Sequence, residues 1–255
     1  ANSLNKMAES LKADITKLQE VDKLKSEFMM IASHNLRTPI SVMKGYLEMA
    51  ETADTVVGLK HIIDTIADRV TQLHLMAEDV LAVATLESGS KPVMVPVPMK
   101  ALLDSVADEF GPLATKKGVG WTFTNDVPLE CQATISQGSL TTAITDIVDN
   151  AIKFTKEGGS VSFDCRLTDN QIIVKVADTG IGIAPEEVSK LFTKFHRGTS
   201  TLTYDYEGVG LGLYMSKLII NQHGGYIKME SGLNKGTTCL ITLPVNKPAK
   251  LKAAV

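Results

Sequence analysis

Residues 33–39, Ser33-His34-Asn35-Leu36-Arg37-Thr38-Pro39, place a histidine in a helically patterned segment with a proline five residues later. Ala32 and Leu36 fall at core positions of that helix, and His34 lies two residues from each. At roughly 100° per residue its imidazole is turned to the opposite, solvent-facing side. Pro39 removes the hydrogen bond to the Asn35 carbonyl and bends the helix beside the ring. An imidazole held in solvent at a helix bend suits a nucleophile or a proton carrier better than a core filler.

Four further constellations lie in the second half of the chain. Asp178-Thr179-Gly180-Ile181-Gly182-Ile183 follows an apolar strand, Ile172 to Val176. A carboxylate at a strand end can accept a hydrogen bond from an exocyclic amine, and the glycines let backbone approach a ring closely. Taken alone, this is also what a glycine-rich turn after a strand looks like. Gly208-Val209-Gly210-Leu211-Gly212-Leu213 opens a helix that runs to Asn221. Spaced glycines there expose N–H groups at the positive helix end, which suits phosphate, whereas their spacing is wrong for a dinucleotide fold. Asp146, Asn150 and Lys153 sit at i, i+4 and i+7 on one helical face. Two oxygen ligands and a cation could hold Mg²⁺ and phosphate, and an ordinary solvated face would read the same way. Leu191 to Arg197, followed by the polar stretch Gly198 to Glu207, has Phe192 and Phe195 to anchor a mobile loop of the kind that closes over ligands. His223-Gly224-Gly225 and Lys235-Gly236-Thr237-Thr238 are turns bounding the last two strands.

The elements that must position these residues follow from periodicity. Residues 3–50 read as one long helix whose Leu4, Met7, Leu11, Leu18, Val21 and Phe28 form a heptad seam, interrupted at Asp14 and Lys25. Residues 51–58 break the pattern, and Leu59, Ile63, Ile66, Val70, Leu73, Ala77, Val80 and Ala84 continue it in a second helix. Two long helices joined by a short turn make a hairpin with apolar surface to spare. A second copy would cover it by closing a four-helix bundle, so a homodimer is expected. Glu87 to Pro92 ends the helix, and Pro92, Pro96 and Pro98 keep the next residues extended. Beyond, helices are predicted near 99–117, 137–154, 185–194 and 210–222, and strands near 119–125, 160–167, 171–178, 225–231 and 237–244. Asp169-Asn170 marks a hairpin turn. The expected fold is an all-α helical hairpin followed by an α/β sandwich, a mixed sheet with helices on one face.

Composition sets outer bounds. The 255 residues carry 44% hydrophobic and 22% charged side chains and a formal charge of −3, which gives no electrostatic case for nucleic acid. Cys131, Cys165 and Cys239 lie far apart, with neither disulfide nor zinc spacing, and fit a reducing compartment. No run approaches the roughly 20 apolar residues of a membrane helix, and the start, Ala1-Asn2-Ser3, lacks the basic region and hydrophobic run expected of a signal peptide. A chain that begins Ala1-Asn2-Ser3 and goes straight into a helical pattern is expected to be a piece of a longer protein.

The segment at 33–39 resembles the phosphoacceptor box of sensor histidine kinases, with Asn35 where the family usually carries Glu or Asp. The four downstream constellations, in their order, resemble the catalytic ATP-binding domain of the same kinases. That domain belongs to a superfamily shared with gyrase, the mismatch-repair ATPases and a heat-shock chaperone. The resemblance implies a coiled-coil signalling helix at 1–19, a dimerisation and phosphotransfer hairpin at 20–90 and a linker at 91–98. A catalytic domain at 99–246 and a frayed tail at 247–255 complete it. It implies that Asp178 binds the adenine amine with Gly180 and Gly182 closing the pocket. Asn150, with Asp146, would ligate Mg²⁺, Lys153 would contact phosphate, and Phe154 would pack near the nucleotide. Gly208, Gly210 and Gly212 would frame the lid and the phosphates of ATP. His34 would accept the γ-phosphoryl group and pass it to an aspartate of a response-regulator receiver domain. Thr38 matches the position that orients water when such proteins dephosphorylate their regulator. Asp146 stands where these kinases usually have Asn and the ATPases of the superfamily have a catalytic Glu, which leaves ATP hydrolysis as a minor expectation. The alternatives are a regulator acting mainly as a phosphatase, and an ATP-binding dimeric scaffold with weak kinase activity. The expected location is the cytoplasm, as a free protein or as the cytoplasmic part of a membrane-anchored sensor.

Overall fold

A computed structural model describes residues 30, 33, 36–51, 55–194, 196 and 210–245. The expected seam from Leu4 to Phe28, His34, Asn35, Gly208 and the tail at 247–255 lie outside them. The chain divides into a unit of residues 1–79 and a unit of residues 80–255.

The first unit is helical. Residues 36–50 form α1, and α2 runs Val56–Glu87. Thr55 starts α2, its hydroxyl oxygen accepting the Gly58 N–H at 3.1 Å while its carbonyl accepts the Leu59 N–H at 3.0 Å. This cap explains why the helix begins before Leu59, where the apolar repeat begins. Tyr46 of α1 meets His61 of α2 edge to face at 6.3 Å, which fixes the two helices as a hairpin. The stripe of α2 turned inward is Ile62, Ile66, Leu73 and Met76. Part of the heptad seam expected from the sequence points elsewhere: Ile63 is 63% exposed and Val70 53%. Periodicity finds the apolar positions of a helix, but one neighbouring helix covers only one stripe of them.

The second unit is built on a five-stranded sheet. After the end of α2, β1 (Val95–Pro98) pairs antiparallel with β3 (Gln132–Ile135) as a separate two-stranded ribbon. The prolines predict only extended chain here, and a ribbon with open edges tolerates them. The remaining elements are α3 (Met99–Lys116), β2 (Gly120–Asp126), α4 (Gln137–Phe154), β4 (Ser160–Thr168) and β5 (Gln171–Asp178). They are followed by α5 (Pro185–Val188), α6 (Gly212–Gln222), β6 (Tyr226–Gly232) and β7 (Gly236–Pro244). Sheet order is β2-β4-β5-β7-β6, with β2 parallel to β4 and the other pairs antiparallel. The expected mixed sheet is therefore observed. Asp169 and Asn170, at φ 50° and 62°, make the two-residue turn between β4 and β5 that right-handed strand twist favours.

Alternation decides which face is covered. Val161, Phe163 and Cys165, Ile172, Val174 and Val176, and Cys239, Ile241 and Leu243 are buried, whereas their neighbours Asp164, Lys175 and Thr242 are not. Leu140, Ala143, Ile144, Ile147, Val148 and Ala151 of α4 pack into the same core. Burial pushes the Cys165 and Cys239 thiols up to about 12, so neither is a nucleophile at neutral pH. The helix expected over 185–194 stops at Val188. Its continuation turns on i→i+3 bonds, Lys190 N–H to the Glu187 carbonyl and Thr193 N–H to the Lys190 carbonyl, both at 2.9 Å.

His223, expected in a turn, does end α6, but it is only 6% exposed. Its Nε2 accepts the backbone N–H of Ser136 at 3.0 Å, so the proton sits on Nδ1, which donates to the Ile219 carbonyl at 2.7 Å. One ring thus ties the residue before α4 to the last turn of α6. Replacing His223 with Ala leaves the Ser136 N–H without its acceptor and opens a void, and is expected to cost about 2 kcal/mol in a denaturant unfolding curve.

Candidate active site

Asp178 is the last residue of β5, where the chain leaves the sheet. Its Oδ1 accepts the Gly180 N–H at 2.7 Å and the Thr237 N–H at 3.2 Å. Burial pushes its carboxyl above the ordinary aspartate range, and the two N–H bonds pull against that rise. Two donors thus fix one oxygen and leave Oδ2 to accept from a ligand. Thr237 can come this close because Gly236, at φ +79°, has no Cβ, which would lie 1.9 Å from the Asp178 carbonyl oxygen.

The loop after Asp178 is held from two sides. The Ile181 N–H donates to the Phe154 carbonyl at 3.2 Å, and a Cβ on Gly180 would lie 2.4 Å from that oxygen. On the other side Asn234 N–H donates to the Ile181 carbonyl at 2.7 Å, and Ile183 N–H to the Ser231 hydroxyl at 2.9 Å. Gly182, at φ +64°, presses against the Gly232 carbonyl, 1.9 Å from where a Cβ would be. The sequence assigned these glycines to close approach of a ligand ring. The structure shows that they also let backbone pack on backbone.

The polar face of α4 carries the third constellation. Asn150, Lys153 and Phe154 are half-buried, with Lys153 Nζ 5.8 Å from the Phe154 ring centre. Asp146 Oδ2 accepts the hydroxyl of Ser216 of α6 at 3.0 Å, and a Cβ on Gly212 would come within 2.5 Å of Asp146 Oδ1. The N-terminal turn of α6, which opens at Gly212 just after Gly210 at φ +74°, therefore abuts Asp146. Ser216 was not foreseen: nothing local in the sequence distinguishes it from other polar helix residues.

The structure thus gathers Asp178 and Gly180 against Phe154 at one end of α4, with Gly182 against Gly232, and Gly212 against Asp146 two turns earlier on α4. Thr38 is exposed on α1, in the first unit. Among the described residues no cluster of three carboxylates, histidines or cysteines could cage a metal ion. An aspartate and an asparagine on one helical face are hard oxygen donors. They suit Mg²⁺ that keeps water and phosphate oxygens in its shell, with Asn150 the better placed because Asp146 already serves Ser216.

Sequence reasoning also missed Glu87, the last residue of α2. Lys194 Nζ lies 2.6 Å from its Oε1, and the Tyr214 hydroxyl donates to the same carboxylate. Burial pushes Glu87 up, but the bonds from Lys194 and Tyr214 outweigh it and hold the carboxyl below its ordinary range. Lys194 and Tyr214 lie on either side of the glycine-rich motif in sequence. Only the fold brings a carboxylate to both.

Residues 136–247 match the family described as histidine kinase-, DNA gyrase B- and HSP90-like ATPases, and residues 24–89 match the His kinase A phosphoacceptor domain. The chain belongs to the histidine kinase family. The kinase is 33% identical over 239 residues to the sensor protein SrrB of Staphylococcus aureus (strain MRSA252), covering 91% of this chain and 40% of that relative. It thus spans about two fifths of the length of the relative it matches. Histidine kinase ThkA, solved in complex with the response regulator protein TrrA, shares its fold at a TM-score of 0.69 and 21% identity, over 86% of this chain and 61% of that one. Full-length ShkA, solved with AMPPNP, does so at 0.63 and 24%, over 86% of this chain and 46% of that one. The helical hairpin followed by a mixed-sheet ATPase domain is the architecture of this kinase family.

Proposed function

We propose that this chain binds ATP with Mg²⁺, phosphorylates its own His34 and passes the phosphoryl group to an aspartate of a response-regulator receiver domain. The observation that carries the reading is the Asp178 carboxylate, with one oxygen fixed by two backbone N–H groups and the other left to accept an adenine amine. In this reading Gly180 and Gly182 shape the pocket wall, Phe154 packs near the base, and Lys153 meets phosphate. Gly210 and Gly212 lie at the positive end of α6 and, with Gly208, would frame the lid and the phosphates. Asn150, assisted by Asp146, holds the Mg²⁺, which neutralises charge on the transferred group when bound.

The ThkA–TrrA complex supports a response regulator as partner, and the AMPPNP-bound ShkA supports an adenine nucleotide as ligand. The domains proposed are the coiled-coil helix at 1–19, the phosphotransfer hairpin at 20–90, the linker at 91–98 and the catalytic domain at 99–246. The exposed line Ile63 and Val70 on α2, with Leu36, Ile40 and Leu47 on α1, supports a homodimer closing a four-helix bundle. No described helix is long and apolar enough to cross a membrane. The proposed location is the cytoplasm, as a free protein or as part of a membrane-anchored sensor. Thr38, exposed on α1, favours response-regulator phosphatase activity as a second output.

The test is incubation with γ-labelled ATP and Mg²⁺, followed by addition of receiver domains. Base-stable, acid-labile label on His34 that moves to a receiver aspartate is expected. Intact nucleotide binding without labelled protein would instead favour the scaffold reading, and free phosphate in excess over phosphoprotein would favour an ATPase.

A further inference from the structure

The last four carbonyls of any helix lack partners within it. In α4 each has a partner from outside the helix. The Ala151 carbonyl accepts the Thr155 hydroxyl at 2.7 Å, and the Ile152 carbonyl accepts the Thr155 N–H at 3.3 Å. The Phe154 carbonyl accepts the Ile181 N–H at 3.2 Å. Between them, Lys117 Nζ donates to the carbonyls of Ile152 at 2.8 Å and Lys153 at 2.6 Å.

Lys117 comes from a different element. It follows α3 as its C-cap, and Gly118, at φ +72°, turns the chain away just beyond it. Its ammonium therefore sits at the negative end of the α4 dipole, where a cation is favoured. Burial holds its pKa below the ordinary lysine value, with Asp149, one turn earlier on α4, pulling against that and the like charge of Lys153 adding to it. The turn it caps is the one that presents Lys153 and Phe154. The Phe154 carbonyl is in turn the contact on which Gly180 and Ile181 rest, and Gly180 N–H donates to Asp178.

We propose that Lys117 is a positioning residue for the nucleotide site, fixing the last turn of α4 and through the Phe154 carbonyl the loop that orients Asp178. The inference rests on the nucleotide reading of that site. An ammonium holding two carbonyls stiffens the turn that carries Phe154 and Lys153, which in that reading meet parts of the nucleotide common to ADP and ATP, while the start of α6 is held independently by Asp146 and Ser216. Loss of Lys117 should therefore weaken ADP and ATP by the same factor and spare the chemical step.

The test uses the full chain and measures ADP affinity, together with KM and kcat for autophosphorylation, in Lys117→Met and Lys117→Arg. Lys117→Met is expected to weaken ADP about tenfold and raise KM for ATP equally, with kcat unchanged. Lys117→Arg, whose fork can donate to two carbonyls, should recover most of that loss. ADP affinity at the wild-type level in a folded but less stable Lys117→Met would overturn the proposal, leaving Lys117 as a helix cap only. If Lys117→Met does not fold, Lys117→Gln takes its place with the same two outcomes. Wild-type chain that binds no ADP would fail the nucleotide reading itself. Wild-type binding with an unaffected Lys117 variant fails only this inference.

Discussion

Replacing Asp178 with asparagine is expected to lower ADP affinity about a hundredfold while leaving the protein at least as stable at neutral pH. The two effects have one origin. Oδ1 is already held by the N–H groups of Gly180 and Thr237, so an asparagine keeps its carbonyl oxygen there and places its NH₂ where Oδ2 was. An acceptor becomes a donor, and an exocyclic amine entering the pocket meets another amine. Opposing two buried donors costs ~3 kcal/mol, which is the hundredfold. Titration calorimetry with ADP reads it directly. Affinity within a few-fold of wild type would mean that Asp178 does not read the base.

Stability moves the other way because burial raises the Asp178 pKa. A carboxyl whose pKa is higher folded than unfolded contributes stability that is fully present below its unfolded value of 3.8, and that is lost as pH rises through the folded value. At neutral pH the wild type carries an ionised, partly desolvated carboxylate that the asparagine variant lacks. The variant should therefore unfold at the same or a higher temperature at pH 7, and its advantage should shrink as pH falls toward the aspartate range. A variant that lost nucleotide binding by local unfolding would instead lose stability at every pH.

This conflict between stability and binding also shows which parts of the molecule were legible in the sequence. The strands β4, β5 and β7 bury one face, so alternation marks Phe163, Val174 and Ile241 directly, and Asp169-Asn170 announces its own turn. Asp178 and its glycines were legible because a carboxylate and two glycines at a strand end have a local spacing. What they pack against was not. Thr237 contributes a backbone N–H, which no side chain advertises. Ser216 reaches Asp146 from 70 residues away, and Lys117 reaches the Ile152 carbonyl from 35. Lys117 is at a helix end and Ser216 within α6, places where a polar residue is ordinary. The ribbon of β1 and β3 was hidden for a related reason: its strands are four residues each, too short for alternation to register, and two of those in β1 are proline. On α2 the heptad pattern identified apolar positions correctly but could not say that Ile62 and Met76 would be buried and Ile63 and Val70 left in the open.

Replacing His34 with glutamine is expected to abolish labelling from ATP while leaving ADP affinity at the wild-type level. In the proposed reaction the imidazole Nε2 lone pair forms a bond to the γ-phosphorus as the bond to the bridging oxygen breaks, and ADP departs with that electron pair. Glutamine offers no comparable nucleophile, whereas the Asp178 pocket, in the other unit, is untouched by the change. Residual acid-labile label on the glutamine variant would move the phosphoacceptor elsewhere. The neighbour of His34 is expected to set the rate. As the N–P bond forms, the ring becomes cationic and must release its Nδ1 proton, and an adjacent carboxylate would both orient the ring and accept that proton. Asn35 can orient through its amide oxygen but cannot take the proton. Asn35→Glu should therefore accelerate phosphohistidine formation by roughly ten- to a hundredfold at saturating ATP. That is less than loss of the carboxylate costs a hydrolytic triad, because phosphoryl transfer relies mainly on positioning and on the metal. An unchanged rate in Asn35→Glu would show that the proton leaves directly to water, and that the step limiting this kinase lies in bringing ATP to His34 rather than in the chemistry at the ring.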